Sequence, residues 1–248
     1  TFRIGGKAKY FFVAKNKEDL ILAIKAAKKL RLPFFILGEG SNLLVSDQGY
    51  KGLVIKAGKP LSSYVSKGLE WAAGIPGTIE GAVYGNAGAF GKSMKDAVES
   101  VEVFDAKRNK IKFFKNKECQ FTYRDSIFKK NKNLIILSVK IKFQKSSLNK
   151  IKEYLNYKKD TQPLNFPSAG SVFKNPPGFF AGELIERCGL KGKKIGDVQI
   201  SEKHANFIVN LGGAKAGDVI KLINICKEKV KEKFGIELEE ELEYLGEF

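Results

Sequence analysis

The sequence predicts a mixed helix-and-strand fold, and three observations carry that prediction. A strand, an amphipathic helix and further short strands follow one another within roughly the first 40 residues. Alternating strands joined by a polar turn come next, around residues 100–113, and a long amphipathic helix runs up to Gly235. At 248 residues the chain is long enough for one large domain or two to three small ones with a real core. Its 43% apolar and 29% charged content excludes collagen-like and wholly disordered classes. No apolar run reaches the roughly 18 residues of a membrane span, so a soluble protein that does not engage a membrane is expected.

The elements follow in order. Glycine-punctuated residues 1–13 lead into a short strand. Asn16 is placed to cap a helix whose first turn holds Glu18 and Asp19, with Leu20, Ile21, Ile24, Ala27 and Leu30 at helical spacing. Leu32-Pro33 ends that helix, Phe34-Phe35-Ile36-Leu37 forms a strand, and Leu43-Leu44-Val45 forms another. Residues 100–104 and 111–113 pair through a turn at 107–110, and a strand is expected from Leu134 to Phe143. Beyond Pro163 come a short apolar piece at 168–173, a helix from about Phe180 to Cys188 stopped by Gly189, short strands at Ile200 and Phe207–Val209, and a helix from about Asp218 to Phe234. The tail, 236–248, is acidic and partly alternating.

Charge is the loudest feature, at +17, yet only five of the 44 basic residues are arginines and glutamates lie among the lysines. A solvated lysine surface is the plain reading; attraction to an anionic small molecule is the next, and no nucleic-acid recognition module is legible. Three cysteines, far apart, make neither a disulfide framework nor a CxxC site, and no basic-then-apolar leader is present, so a reducing cytoplasm is expected.

Residues 74–91 stand apart. Gly74, Gly77, Gly81, Gly85, Gly88 and Gly91 fall among small residues, a density that costs too much chain entropy to be filler, so something must approach this backbone closely. Two shorter motifs fail on spacing. Gly38-Glu39-Gly40 after a strand suggests a dinucleotide fingerprint, but Leu43 stands where the third glycine belongs. Gly91-Lys92-Ser93 ends like a P-loop, but Asn86 stands where its first glycine belongs. What remains is two glycine-rich turns able to aim backbone N–H groups at a pyrophosphate, or tight turns and no more. His204 is the only histidine, so a three-histidine zinc site is impossible and no metal is expected. Arg124 is a rare arginine in a lysine-rich chain, fit for two-pronged recognition of carboxylate or phosphate, or for a salt bridge to Asp125. Ser171 has no triad around it and reads by spacing as a cap or turn residue.

Six ordered strings then resemble one family: Gly38-Glu39-Gly40-Ser41-Asn42-Leu43-Leu44-Val45, Gly74-Ile75-Pro76-Gly77-Thr78, Asn86-Ala87-Gly88-Ala89-Phe90-Gly91, Tyr123-Arg124-Asp125-Ser126, Gly170-Ser171-Val172-Phe173-Lys174-Asn175-Pro176 and Lys203-His204-Ala205-Asn206-Phe207. The chain is similar, over nearly its whole length, to the UDP-N-acetylenolpyruvoylglucosamine reductases of bacterial peptidoglycan synthesis.

The resemblance implies an α+β fold: the FAD-binding fold of the vanillyl-alcohol-oxidase type, as two α+β subdomains (1–56 and 57–160), then a C-terminal α+β substrate domain (161–235) and a tail, 236–248, returning to the active site. It implies FAD against Gly38, Glu39, Gly40, Ser41, Asn42, Leu43, Gly74, Ile75, Pro76, Gly77, Thr78, Gly81, Ala82, Asn86, Ala87, Gly88, Ala89 and Arg124. It makes Arg124, Ser171 and Glu241 the reaction site, with Glu239, Glu240 and Glu243 as competitors for the register of Glu241, and puts Asn175, Lys191 and His204 near the UDP-sugar. The activity implied is NADPH-dependent reduction of UDP-N-acetylglucosamine enolpyruvate, with a hydride from FAD to the methylene carbon and a proton from Ser171 to the alpha carbon, by a cytoplasmic monomer. The chain departs from the family in a shorter connection between Ile55 and Gly68, and the short span from Ser171 to Lys191 matches the subfamily that lacks a tyrosine-bearing loop. Two rivals stand beside this reading: another flavin oxidoreductase on the same fold, and a basic protein that binds nucleic acid with steep salt dependence.

Overall fold

The computed structural model describes residues 1–248. In chain order its elements are β1 (Ala8–Val13), α1 (Lys17–Lys29), β2 (Phe34–Leu37), β3 (Leu43–Val45), β4 (Tyr50–Lys56), α2 (Ile79–Tyr84), β5 (Gly88–Ala89), β6 (Lys92–Ser93), α3 (Met94–Ala97), β7 (Val98–Asp105), β8 (Lys110–Lys115), α4 (Ile127–Lys130), β9 (Leu134–Ile141), α5 (Leu148–Thr161), β10 (Ser168–Ser171), α6 (Ala181–Arg187), β11 (Lys194–Ile195), β12 (Val198–Ile200), β13 (Phe207–Asn210), α7 (Ala216–Phe234) and β14 (Glu243–Leu245). No helix is long and apolar enough to cross a membrane.

The chain divides into two compact units: Tyr10–Glu39 with Gly52–Tyr157, and Thr1–Lys9 with Gly40–Lys51 and Lys158–Phe248. Residues 161–235 and the tail thus share a unit with Gly40–Lys51, whereas residues 1–56 are distributed over both and the string from Gly38 to Val45 is divided between them.

In the unit of residues 10–39 and 52–157, β8-β7-β9 form an antiparallel sheet and β2 runs parallel to β4. Leu134 and Ile136 of β9 join a core with Trp71, Met94, Val101 and Phe128, while Ile135 and Leu137 join another with Leu20, Ile24 and Ile55. Burial on both faces explains why the first half of β9, Leu134 to Leu137, reads as an apolar run, whereas its less buried second half alternates through Ser138 and Lys140. Asn16 caps α1 as expected, its Oδ1 accepting the Asp19 N–H at 2.7 Å.

Two elements here depart from expectation. The glycine-rich segment is not all loop: Thr78 caps α2, its Oγ1 accepting the Gly81 N–H at 3.1 Å. Residues 148–161 form α5, a helix without a clear sequence signal, since its lysines and its exposed Leu148 and Leu155 blur the apolar stripe.

In the other unit β10-β13-β12-β11 form an antiparallel sheet, and α7 buries Val219, Leu222, Ile223, Cys226 and Val230 in a core shared with Leu184, Ile208 and Phe173. Gly235, at φ 68°, ends α7 where the sequence expected it to end. Its start lies two residues earlier than expected, at Ala216, because the Asp47 carboxylate accepts the N–H groups of Ala216 (2.8 Å) and Gly217 (3.2 Å). The acidic tail becomes β14, which pairs parallel with β3 in the register Glu243↔Leu43 to Leu245↔Val45.

Candidate active site

The first unit carries the Gly74–Gly91 segment. Gly74 and Gly77 take φ values of 74° and 132°, and the Gly77 carbonyl accepts the Leu61 N–H at 2.9 Å, fixing the turn of Ile75 and Pro76. Gly38, at the end of β2, abuts this turn: a Cβ there would lie 2.8 Å from Thr78 Oγ1. Two of the strings expected to bind FAD therefore meet. Glu39 pairs with Lys56 at 3.6 Å.

Helix α2 carries Gly81 beside buried Ala82, and Gly85, four residues on, caps its C-terminus. An added Cβ would meet Thr78 Oγ1 at 3.3 Å from Gly81, and nothing nearer than the Gly81 carbonyl at 3.8 Å from Gly85. Gly81 is therefore close against the Thr78 cap, and the room for a side chain is at Gly85. Gly88 is different, since a Cβ there would come within 2.6 Å of the Lys92 carbonyl oxygen. The pairing of Gly88 with Ser93 and Ala89 with Lys92, rather than an approaching ligand, demands that glycine. Ala87 continues the same framework, its N–H donating to Ala82 O at 2.8 Å. Lys92, the lysine of the failed P-loop, lies on β6 and pairs with Glu70.

Asn86 turns its side chain inward. It is buried, with φ 43°, and its Nδ2 donates to Thr122 O at 2.7 Å while its Oδ1 accepts the Lys95 N–H at 3.0 Å. It thereby anchors the turn that presents Arg124. Thr122 and Asp125 exchange backbone hydrogen bonds at 3.1 and 3.2 Å, and Ser126 Oγ donates to Tyr84 O at 2.7 Å. At the tip, Arg124 adopts φ 55°, a left-handed conformation that costs a non-glycine residue about 1 kcal/mol, and its guanidinium lies 5.4 Å from the centroid of the Tyr123 ring. Asp125 pairs with Lys130 at 3.1 Å.

In the second unit, Ser171 ends β10 opposite Phe207, as a strand residue rather than the cap or turn that its spacing suggested. The next residues run beside the tail: Glu241 N–H donates to Val172 O at 2.8 Å, Phe173 bridges Glu240, and Lys174 N–H donates to Glu239 O at 2.9 Å. The backbone of Glu241 is thus tied to Val172, the residue next to Ser171. Neighbouring glutamates are committed elsewhere. Glu239 pairs with Lys174 at 2.5 Å, Glu240 accepts from Lys227 at 2.8 Å and from Tyr244 Oη, and Glu243 belongs to β14. Tyr244 is accordingly held protonated, burial and the Glu240 carboxylate both raising its pKa.

The string after Gly40 lies in this unit. Gly40 takes φ 65° and its carbonyl accepts from Thr1 Oγ1 at 3.1 Å; Ser41 follows, and Leu43 is buried on β3. Asn42 Nδ2 donates to Glu241 O at 2.8 Å. That link joins positions 199 residues apart, and no spacing rule reaches so far.

Asn175, Lys191 and His204 gather around α6. Asn175 Oδ1 accepts the Ala181 N–H at 3.0 Å at the start of the helix, Lys191 pairs with Glu186 at 2.7 Å, and His204 packs so close that a Cβ on Gly182 would lie 3.1 Å from its Cε1. Burial, then the Lys191 charge, lower the His204 pKa, so the imidazole is neutral at pH 7 and its Nδ1 accepts the Asn206 N–H at 3.2 Å.

Comparison with known proteins places this arrangement. Residues 162–245 match the family model for the C-terminal domain of UDP-N-acetylenolpyruvoylglucosamine reductase. The UDP-N-acetylenolpyruvoylglucosamine reductase of Caldanaerobacter subterraneus is 44% identical, over 100% of this chain and 90% of that protein. That of Clostridioides difficile is 40% identical over the same shares. The first alignment extends over 276 positions against 248 residues here, so that relative carries residues this chain lacks. The crystal structure of UDP-N-acetylenolpyruvylglucosamine reductase (MurB) from Thermus caldophilus superposes with a TM-score of 0.79 at 36% identity, covering 94% of this chain and 91% of that one. Likeness over the full chain, in sequence and in fold, makes this protein a member of the UDP-N-acetylenolpyruvoylglucosamine reductase family.

Proposed function

We propose that this chain reduces UDP-N-acetylglucosamine enolpyruvate to UDP-N-acetylmuramate, with FAD as its cofactor and NADPH as the reductant, in cytoplasmic peptidoglycan precursor synthesis. The observation that carries the reading is the Val172–Glu241 hydrogen bond, which ties the backbone of the tail's Glu241 beside the residue that follows Ser171, in a chain of this family.

The residues fit a flavin. Gly85 leaves bare backbone with room beside it for a flat ring system, and the Gly38–Thr78 contact closes the neighbouring turn. When bound, FAD supplies hydride transfer from NADPH to the enolpyruvyl methylene carbon. This chain's own residues supply position and charge. Hydride addition places negative charge on the substrate's carboxylate side, and the planar two-pronged guanidinium of Arg124 suits it, held at a turn that Asn86 and Ser126 fix. Ser171 Oγ gives a proton to the alpha carbon, with Glu241 orienting or polarising the group. Lys191 and neutral His204 offer a charge and a ring N–H to the nucleotide sugar, with Asn175 at the start of α6.

The test is optical. The purified protein is expected to be yellow, to bleach with NADPH, and to recover its colour on addition of UDP-N-acetylglucosamine enolpyruvate, with one UDP-N-acetylmuramate formed per flavin. A colourless protein, or colour that returns only with oxygen, would overturn the proposal.

A further inference from the structure

We infer that Asn206 is a positioning residue for this reaction, its side-chain amide setting where Ser171 and Glu241 stand relative to each other. The inference deepens the proposed function and rests on its assignment of those two residues.

The segment Val172–Lys174 is a strip with two hydrogen-bonding edges. One edge faces the tail, through Val172 O and Lys174 N. The opposite edge is met by Asn206 alone: its backbone carbonyl accepts the Val172 N–H at 2.8 Å, its Oδ1 accepts the Phe173 N–H at 2.9 Å, and its Nδ2 donates to Phe173 O at 2.9 Å. Ser171 pairs with Phe207, the first residue of β13, and the ladder ends there. One residue before the strand begins, the Asn206 amide continues the ladder in place of backbone.

Its setting makes this amide rigid. Asn206 and Phe173 are 4% and 2% exposed, so no water substitutes for either bond. The Asn206 N–H is in turn held by His204 Nδ1. Ser171 lies two residues before Phe173, and Glu241 is attached one residue before it, at Val172 O. Rotation of the Phe173 peptide therefore moves the serine and the rung that carries the glutamate by different amounts. A proton donor displaced by about an ångström loses most of its advantage.

The test uses the whole flavin-loaded enzyme. Asn206→Asp keeps size and the acceptor for Phe173 N–H but cannot donate to Phe173 O. Asn206→Ser, smaller and uncharged, is the second variant. With rates expressed per bound flavin, bleaching by NADPH is expected to stay within about 2-fold of wild type, and recolouring by the enolpyruvyl sugar to slow by at least 10-fold at saturating sugar. The double variant Asn206→Asp/Ser171→Ala is expected to be no slower than Ser171→Ala alone, because both changes act at one proton transfer. If the Asn206 variants recolour at wild-type rate while Ser171→Ala is slow, the inference fails and the proposed function stands. If Ser171→Ala is itself unimpaired, the assignment beneath it fails. If both Asn206 variants lose their flavin or unfold, the residue serves folding and the inference is overturned.

Discussion

Asn86 ties the glycine-rich segment to the turn of Arg124, and removing that tie has a cost that the structure allows to be worked out. Asn86→Ala deletes two hydrogen bonds, leaving the Thr122 carbonyl and the Lys95 N–H in a site where the side chain they lost was only 5% exposed. An unmet buried polar group costs about 1–3 kcal/mol, and partial rehydration of these two keeps the sum at about 2–3 kcal/mol. For a chain of this size each kcal/mol lowers Tm by roughly 2–4 °C, so a fall of about 5–10 °C is expected. The backbone supplies an internal control. At φ 43° an alanine is strained by about 1 kcal/mol and a glycine is not, so Asn86→Gly should melt a few degrees above Asn86→Ala, the reverse of the order at an ordinary helix or strand position. Differential scanning calorimetry of both variants, with turnover per bound flavin, checks this. Equal melting of alanine variant and wild type, or a glycine variant less stable than the alanine one, would refute the reasoning.

Other consequences are open to simple assays. Arg124→Lys keeps the charge and loses the fork, so turnover should fall on the order of 10²-fold with flavin content little changed; near-normal turnover would return Arg124 to a structural role. Gly85→Val adds a side chain to open space without a change of backbone conformation, so the protein should fold and release FAD, whereas Gly88→Val should disrupt the β5–β6 pairing itself; full flavin in the Gly85 variant would show that α2 is not the flavin cradle. Among the tail glutamates, Glu241→Gln should slow turnover on the order of 10²-fold, while Glu239→Gln and Glu240→Gln disturb ion pairs worth about 0–1 kcal/mol and should leave it within about 3-fold. A large loss at Glu239 or Glu240 instead would move the site in register.

Much of this was legible in the sequence where local rules suffice. The Asn16 cap, the Phe34–Leu37 strand, the turn between β7 and β8 and the Gly235 stop all depend on neighbours a few residues away. Helix α5 was not legible, because its lysine-rich face hides the stripe, and α2 was masked by the glycines that give it a bare surface. In the candidate site, the strings mark segments but not what each side chain touches. Asn42, Asn86 and Asp47 look alike as short polar residues near glycines, yet their partners are Glu241 O, Thr122 O and the start of α7. Those partners are set by tertiary packing, to which periodicity and cap rules are blind. The same holds for the tail glutamates, which the sequence leaves alike and which packing pairs differently, Glu239 with Lys174 and Glu240 with Lys227.

The central claim, that Ser171 delivers the proton and has no part in taking hydride from NADPH, is tested most directly by stopped-flow flavin absorbance of Ser171→Ala in two separate experiments. Bleaching by NADPH should match wild type, and recolouring by UDP-N-acetylglucosamine enolpyruvate should slow by a factor on the order of 10² or more, with partial recovery in Ser171→Cys. A variant slow with NADPH and normal with the sugar, or slow with neither, would contradict the account.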